Sequence, residues 1–212
     1  MSRLTFIGDV HAKWRYYQNL VENIDTPTIQ VGDFGVGFNR LDWSDVFDLH
    51  DSSPHRFIRG NHDDPHASRK FPGFIEDGTV EDRMMFVGGA WSIDYQWRTP
   101  GVNWWPDEEC NQIKFGEMID DYENVKPDIM ITHDFPREAA KEMFFDGSVA
   151  LLSGGIQYKT VTSEALQEMF EIHQPKLWIG GHWHVSKDRV VNGTRFVCLN
   201  ELETLEVDLD EI

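Results

Sequence analysis

The sequence predicts an α/β fold, and three features predict it. Short apolar strands alternate with amphipathic helical segments, as βαβ units require. Several of those strands stop at glycine followed by carboxylate, amide or imidazole side chains. A run of short alternating strands closes the chain, which points to a second sheet rather than a second domain.

Taken in order, "RLTFIG" (3–8) reads as a buried strand ending at Gly8-Asp9. Over 12–24, Trp14, Tyr17, Leu20, Val21 and Ile24 recur at helical spacing and share a face. "TIQVGD" (28–33) is a second strand ending at Gly32-Asp33, 41–50 is a short helix, and "HRFIRGNHD" (55–63) is a third strand running into a polar turn. The segment from 80 begins with strand-like stretches and becomes an aromatic loop broken by Pro100, Gly101 and Pro106. Residues 107–124 return to a helical, acidic pattern, and "DIMITHD" (128–134) is a strand ending at His133. Helices are expected over 136–145 and 162–173, on either side of the Gly-rich "LLSGGIQ". "KLWIGGHWH" is a further strand ending in polar residues, and short strands fill Lys187 to Leu209.

A chain of 212 residues fits one domain over 1–212, with an aromatic cap segment at about 91–109. Its 40% hydrophobic and 26% charged residues are ordinary for a globular protein that buries a sizeable core. No apolar run is long enough to span a bilayer, and "MSRLTFIGDVH" lacks the pattern of a signal peptide, so a soluble cytoplasmic protein with no membrane partner is expected. Cys110 and Cys198 fit no Cys-x-x-Cys spacing and imply a reducing compartment. A net charge of −18 weighs against a nucleic-acid partner, which needs clustered Lys and Arg to neutralise phosphate.

The polar residues collect at strand ends: Asp9 with His11, Asp33, Asn61 with His62, His133, and His182 with His184. Ligand sites in open α/β sheets lie beyond the carboxyl ends of the strands, so neighbouring strands would bring these clusters into one crevice. In extended chain, residues two apart face the same side, which would pair Asp9 with His11 and His182 with His184. Taken singly, Gly-Asp is an ordinary turn, Asn-His-Asp a turn or cap, and a strand-end histidine a hydrogen-bonded surface group. Taken together, clustered carboxylates and imidazoles are costly to bury without a partner, and a cation supplies one. Mixed carboxylate, amide and imidazole donors without thiolate suit Mn²⁺, Fe or Zn²⁺ better than a soft-metal or all-oxygen Ca²⁺ site; Mn²⁺ is the expected ion, with Fe, Zn²⁺ or Ni as alternatives. Seven such ligands are too many for one ion with room for substrate, and suit two divalent metal ions sharing a carboxylate, about 3.5–4 Å apart.

The order of motifs resembles the calcineurin-like metallophosphoesterase superfamily. Gly8-Asp9-Val10-His11, Gly32-Asp33, Gly60-Asn61-His62-Asp63, His133 and Gly181-His182-Trp183-His184 carry the resemblance, which runs over most of the chain. The resemblance implies a four-layer α/β/β/α sandwich of two mixed sheets flanked by helices, with a dinuclear site at the strand ends. It implies that Asp9, His11 and His184 hold one metal, that Asn61, His133 and His182 hold the other, and that Asp33 bridges them. His62 would act as general acid or cationic stabiliser, and Asp63 would orient it. The reaction implied is hydrolysis of a phosphate ester by a metal-bridging hydroxide attacking in line.

The second motif, "GDFGVGF", lacks the Asp-Arg-Gly of the phosphoprotein-phosphatase branch, and the third ends in Asp63 rather than glutamate. Protein serine/threonine phosphatase is therefore disfavoured, and a small phosphodiester or nucleotide is the expected substrate. The alternatives are a nuclease or polynucleotide phosphatase, and a non-catalytic scaffold on the same fold. Trp91, Trp97, Trp104 and Trp105 are either a packed aromatic loop or an aromatic face for a nucleobase. Arg98 and Arg59 are candidate phosphate contacts, with His66 and Arg69 nearby and Arg69 better explained as surface charge.

Overall fold

Alternation along the strands sorts their apolar side chains into two sets, and the two sets build separate cores. In the computed structural model, which describes residues 3–41, 46, 50, 54–145 and 159–212, Phe6, Ile29, Phe86, Ile131 and Ile179 meet in one cluster. Their chain neighbours Met85, Met130 and Trp178 point the opposite way into another. Strands apolar on both faces must be covered on both faces, and this produces layers.

The strands are β1 (Arg3–Ile7), β2 (Thr28–Gln30), β3 (His55–Phe57), β4 (Val80–Glu81), β5 (Met84–Val87), β6 (Ile129–Thr132), β7 (Leu177–Gly180), β8 (Lys187–Val191), β9 (Thr194–Cys198) and β10 (Thr204–Asp208). The helices are α1 (Trp14–Val21), α2 (Pro65–Ser68), α3 (Gln112–Val125), α4 (Arg137–Phe144) and α5 (Val161–Ile172). One sheet has four strands in the order β10-β1-β2-β3, the other six in the order β4-β5-β6-β7-β9-β8. β1, β2 and β3 run parallel, with β10 antiparallel at one edge. β5, β6, β7 and β9 run parallel between antiparallel β4 and β8. Both sheets are mixed, and the fold is the expected four-layer sandwich.

The inner faces of the two sheets enclose the central core. α3, α4 and α5 cover the outer face of the larger sheet, where Phe115, Met118, Tyr122, Leu166 and Phe170 pack on Trp178 and Phe196. Tyr17 and Val21 of α1 cover the outer face of the smaller sheet against Ile7 and Phe57. Local chemistry starts and stops the helices. Asn111 caps α3 by accepting from Lys114 N (3.0 Å), and Lys126 ends it in the left-handed region. Thr160 and Ser163 form a capping box at the start of α5.

Several elements are shorter than the sequence pattern predicts. The helix expected over 12–24 covers Trp14–Val21. Ala12 takes a positive φ before it, and Asn23 N and Ile24 N bond to Leu20 O and Val21 O in a tightened last turn. The strands expected over 28–33 and 55–63 stop at Gln30 and Phe57, because the residues beyond them leave the ladder to form the loops described below. The helix expected over 41–50 falls, apart from Leu41, Val46 and His50, outside the described residues, as does "LLSGGIQ". Cys110 and Cys198 are both free. Among the described residues no helix is long and apolar enough to cross a membrane.

Trp178 tests the outer core. It is fully buried, lies parallel to Phe196 at 5.5 Å, and donates from Nε1 to Thr132 Oγ1 at 2.7 Å. Trp178→Ala is expected to lower unfolding stability by about 3–5 kcal/mol, read from urea denaturation. A loss under about 1 kcal/mol would show that α3 and α5 do not depend on this ring.

Candidate metal centre

The donor side chains lie beyond the carboxyl ends of β1, β2 and β3 in one sheet and of β6 and β7 in the other. The five strand ends therefore belong to two facing sheets, and the donors meet at their seam. Strand alternation is not what brings the donors together. His11, Asp33, His182 and His184 have φ values of 49°, 57°, 69° and 51°, so they occupy tight left-handed turns where the rule that residues two apart share a side no longer applies. Such conformations cost non-glycine residues about 1–3 kcal/mol each and persist only where the surroundings impose them.

Backbone bonds do the imposing. Val10 N and His11 N both donate to Asp33 O (3.0 and 2.8 Å), which ties the loop after β1 to the loop after β2. Gly181 N donates to His133 O (3.1 Å), which ties the loops after β6 and β7. Asp9 links the sheets by accepting from His182 N at 3.1 Å. The approach is close enough to need glycine: a Cβ on Gly181 would stand 2.0 Å from Asp9 Oδ1, and one on Gly60 2.1 Å from Asp33 Oδ1.

Asp9, His11, Asp33 and His184 each present one ligand atom, and these atoms all lie within 4.8 Å of one another. His184 Nε2 is 3.1 Å from Asp9 Oδ2 and 2.8 Å from His11 Nε2, and His11 Nε2 is 3.7 Å from Asp33 Oδ2. On the other side of Asp33, His133 Nε2 is 3.2 Å from Oδ1 and 3.3 Å from Asn61 Oδ1. His182 Nδ1 lies 3.0 Å from the same Asn61 oxygen. All seven expected donors thus converge, in two groups that share Asp33. His133 Nδ1 donates to Val31 O at 2.9 Å, so Nε2 is the ring nitrogen aimed inward.

The electrostatics fit a cation. Asp9 and Asp33 are buried, and burial alone would favour the neutral acid. The imidazoles His62 and His133 nevertheless hold Asp33 well below the usual carboxylate range. Burial opposes charge on His133, yet Asp33 and Asp9 push its pKa up to about 10. Ring nitrogens facing each other and buried carboxylates aimed at one space are what divalent metals compensate.

His62 stands beside both groups. Its Nδ1 is 3.0 Å from His11 Nδ1 and 4.0 Å from Asp33 Oδ2. Arg98 donates to its Nε2 at 2.6 Å, and the ring stacks on Phe38 at 4.7 Å and 8°. Burial pushes the His62 pKa down to about 4; Asp33 opposes this and the Arg98 cation adds to it.

The sequence profile of calcineurin-like phosphoesterase matches residues 2–186. The chain belongs to the calcineurin-like phosphoesterase family. That membership supports metal-dependent hydrolysis of phosphate esters in general. No curated protein sequence matches this chain. Among solved structures it resembles the phosphopantetheinyl hydrolase of Mycobacterium tuberculosis (14% identity, TM-score 0.53, covering 93% of this chain and 89% of that one). It also resembles a Staphylococcus aureus protein described as a 5'-nucleotidase (14% identity, TM-score 0.56), covering 97% of this chain and only 50% of that one. The anchor of the inner membrane complex of Plasmodium has the same fold (12% identity, TM-score 0.53, 94% of this chain and 72% of that one).

Two sequence expectations for this phosphoesterase need correction. Asp63 does not hold the His62 ring. Its carboxylate accepts from the backbone N–H groups of Phe34 (3.1 Å), Gly35 (2.5 Å), Val36 (2.9 Å) and Gly60 (2.7 Å). It therefore fixes the loops that carry Asp33 and His62. Arg59 is not available to a phosphate, being 1% exposed. It pairs with Asp77 through Nε at 2.8 Å and donates to Glu108 O (2.6 Å) and Cys110 Sγ (3.2 Å). A guanidinium with buried partners ties down the 107–110 segment instead. Arg98 does reach the site, held between His62 and Asp94. His66 is exposed, and Arg69 pairs with Glu76 at the surface.

Sequence reasoning missed Glu108, Ser92, Phe38 and Glu201. Glu201 Oε1 is 3.9 Å from His184 Nδ1 and 4.0 Å from His11 Nε2, but it follows β9 in an unremarkable acidic stretch. Ser92 and Glu108 lie inside the aromatic segment, among tryptophans that carry its strongest sequence signal. In that segment Trp105 is buried, Trp91 and Trp104 are half-buried, and Trp97 is exposed at 83%.

Two tests follow from this geometry. Gly181→Ala forces a Cβ into Asp9, so metal affinity should fall with the fold retained; unchanged metal binding with a native circular dichroism spectrum would contradict the close approach. Asp77→Asn leaves Arg59 buried without its counter-charge and should cost about 3–5 kcal/mol. Burial alone would raise the Asp77 pKa, but Arg59 holds it below 3.8. The pair's stabilisation is thus complete above about 3.8 and is lost as pH falls through the native value. Stability measured against pH should show that acid-side loss in the wild type and a weaker one in the variant.

Proposed function

We propose that this phosphoesterase hydrolyses a small phosphate ester, a phosphodiester or nucleotide, with two divalent cations bound at the strand ends. The observation that carries the reading is the placement of Asp33. Its Oδ2 lies toward His11, within the cluster that includes Asp9 and His184, and its Oδ1 faces His133, beside Asn61 and His182. Asp9, His11 and His184 would hold one ion, Asn61, His133 and His182 the other, and Asp33 both. Mixed carboxylate, amide and imidazole donors suit Mn²⁺, Fe or Zn²⁺, and Mn²⁺ is the ion we propose. Bound there, two divalent cations would neutralise phosphoryl oxygens and make water more acidic.

The chain's own residues supply the rest. Arg98 and His62 are in contact at 2.6 Å, and a phosphoryl oxygen that displaced this contact would accept from both. The guanidinium fork matches phosphate, and an entering anion would offset the cation that depresses His62, restoring its ability to protonate a leaving oxygen. Phe38 keeps the imidazole plane fixed for that transfer. Exposed Trp97 and Ile93 lie close in sequence to Arg98, on the segment that caps the site. They suit an apolar or aromatic leaving group better than a protein surface rich in charge. The nucleotidase and hydrolase descriptions of two fold neighbours agree with a small phosphorylated substrate.

Turnover of bis-p-nitrophenyl phosphate against p-nitrophenyl phosphate with Mn²⁺ supplied measures the diester-to-monoester preference. Metal binding with no turnover of either would favour a non-catalytic scaffold, a role in keeping with the Plasmodium anchor of the same fold. His62→Ala should keep its metal and lower kcat roughly 10²–10⁴-fold. Equal loss of metal and activity would remove His62 from the acid role. Arg98→Ala should mainly raise KM, and unchanged kinetics would place Arg98 outside the substrate path.

A further inference from the structure

Asn61 differs from the other donors in being ambiguous. An amide side chain is nearly the same shape either way round, but only its oxygen can ligate a cation. Asn61 is 3% exposed, so water does not set its orientation. Its Nδ2 donates to Ser92 Oγ at 3.0 Å, and its Oδ1 faces His182 Nδ1 and His133 Nε2. Ser92 is buried at 1% exposure, as is Glu108 at 3%. Ser92 donates both its protons to that one carboxylate: N to Oε1 at 2.8 Å and Oγ to Oε2 at 2.6 Å.

We infer that Glu108 is a positioning residue that sets the direction of the Asn61 amide through Ser92. The inference rests on the metal reading above for its consequence and on hydrogen-bond polarity for its mechanism. A carboxylate only accepts, so the single Ser92 hydroxyl proton goes to Glu108. The hydroxyl then offers Asn61 nothing but lone pairs. Only the NH₂ end of Asn61 satisfies them, and the oxygen must face His133 and His182. Burial raises the Glu108 carboxyl above 4.5 while the two Ser92 donors act against that. Glu108 is itself anchored, since Arg59 donates to its carbonyl oxygen at 2.6 Å. The aromatic segment therefore reaches the donor cluster through a polar relay.

The polarity can be reversed without changing shape. In Glu108→Gln, Ser92 N still needs an acceptor and takes the amide oxygen, so the amide NH₂ turns toward Ser92 Oγ. The hydroxyl proton is then free to point at residue 61, and Asn61 can flip its NH₂ toward the metal. Mn²⁺ titration of the full chain should show the ion held by Asn61 weakened roughly 10–100-fold, with the other ion much less affected. Asn61→Asp inverts the requirement, because aspartate has no proton to give Ser92. In that background Glu108→Gln supplies the missing donor and should tighten binding rather than weaken it. A change of the same sign in both backgrounds, or none in either, overturns the inference, because loss of mere packing has no such sign reversal. The lock is also read without metal: the Asn61 NH₂ should be protected from hydrogen exchange in the wild type and lose protection in Glu108→Gln. Equal exchange overturns the relay whatever the metal does. A wild type that binds no Mn²⁺ but keeps the exchange difference overturns the metal reading and leaves the relay standing.

Discussion

Burying the Asp33 carboxylate at the seam of two sheets would cost several kcal/mol if its charge met only apolar groups, and the pocket is arranged around avoiding that cost. One oxygen accepts from His62 N at 2.7 Å and faces His133. The other lies toward His11 and His62. Its own carbonyl receives Val10 and His11 from the neighbouring loop. The four-stranded sheet contributes Asp9, His11, Asp33 and Asn61 from its loops, and the six-stranded sheet contributes His133, His182 and His184. A residue compensated from both sides can lie only where the sheets meet, so the central core that holds them face to face also holds the site.

The loops are held in place for a related reason. Left-handed turns at His11, Asp33, His182 and His184 are unfavourable in isolation. Here they are over-determined by backbone bonds between loops, by glycines that admit carboxylate oxygens at contact distance, and by Asp63, which gathers four N–H groups from two loops. The strain is offset by the sheets and by the helices packed on them. Preorganised donors lose little entropy on taking up a cation, so the cost of holding like groups together falls on folding.

A second buried charge pair does the same work one layer out. Arg59 and Asp77 fix the segment carrying Cys110 and Glu108, and Glu108 with Ser92 faces Asn61. Arg98 leaves the same segment for His62. The aromatic stretch thus touches the site at two points through polar groups, while Trp105 serves as its buried anchor.

Strand and helix types were legible because burial on both faces leaves continuous apolar runs and burial on one helix face leaves a helical period. The site's residue types were legible because glycine, carboxylate and imidazole at successive strand ends have no low-cost structural explanation. Element ends were not legible: Gln30 and Phe57 end their strands early because the residues beyond them bond across loops, and such partners are distant in sequence. Arg59 and Asp63 were misassigned for the same reason. A charged residue beside a motif looks the same in sequence whether it faces substrate or a buried partner, and only the fold brings Asp77 to Arg59 and the loop N–H groups to Asp63. By itself, then, the sequence determined which chemistry the chain can perform and which layers it must form, because periodicity and residue type are local properties. The tertiary structure alone decided which side chains stand around Asp33, which arginine reaches His62 and which carboxylate binds Ser92 beside Asn61, because those relations are distances between residues that the chain order keeps apart.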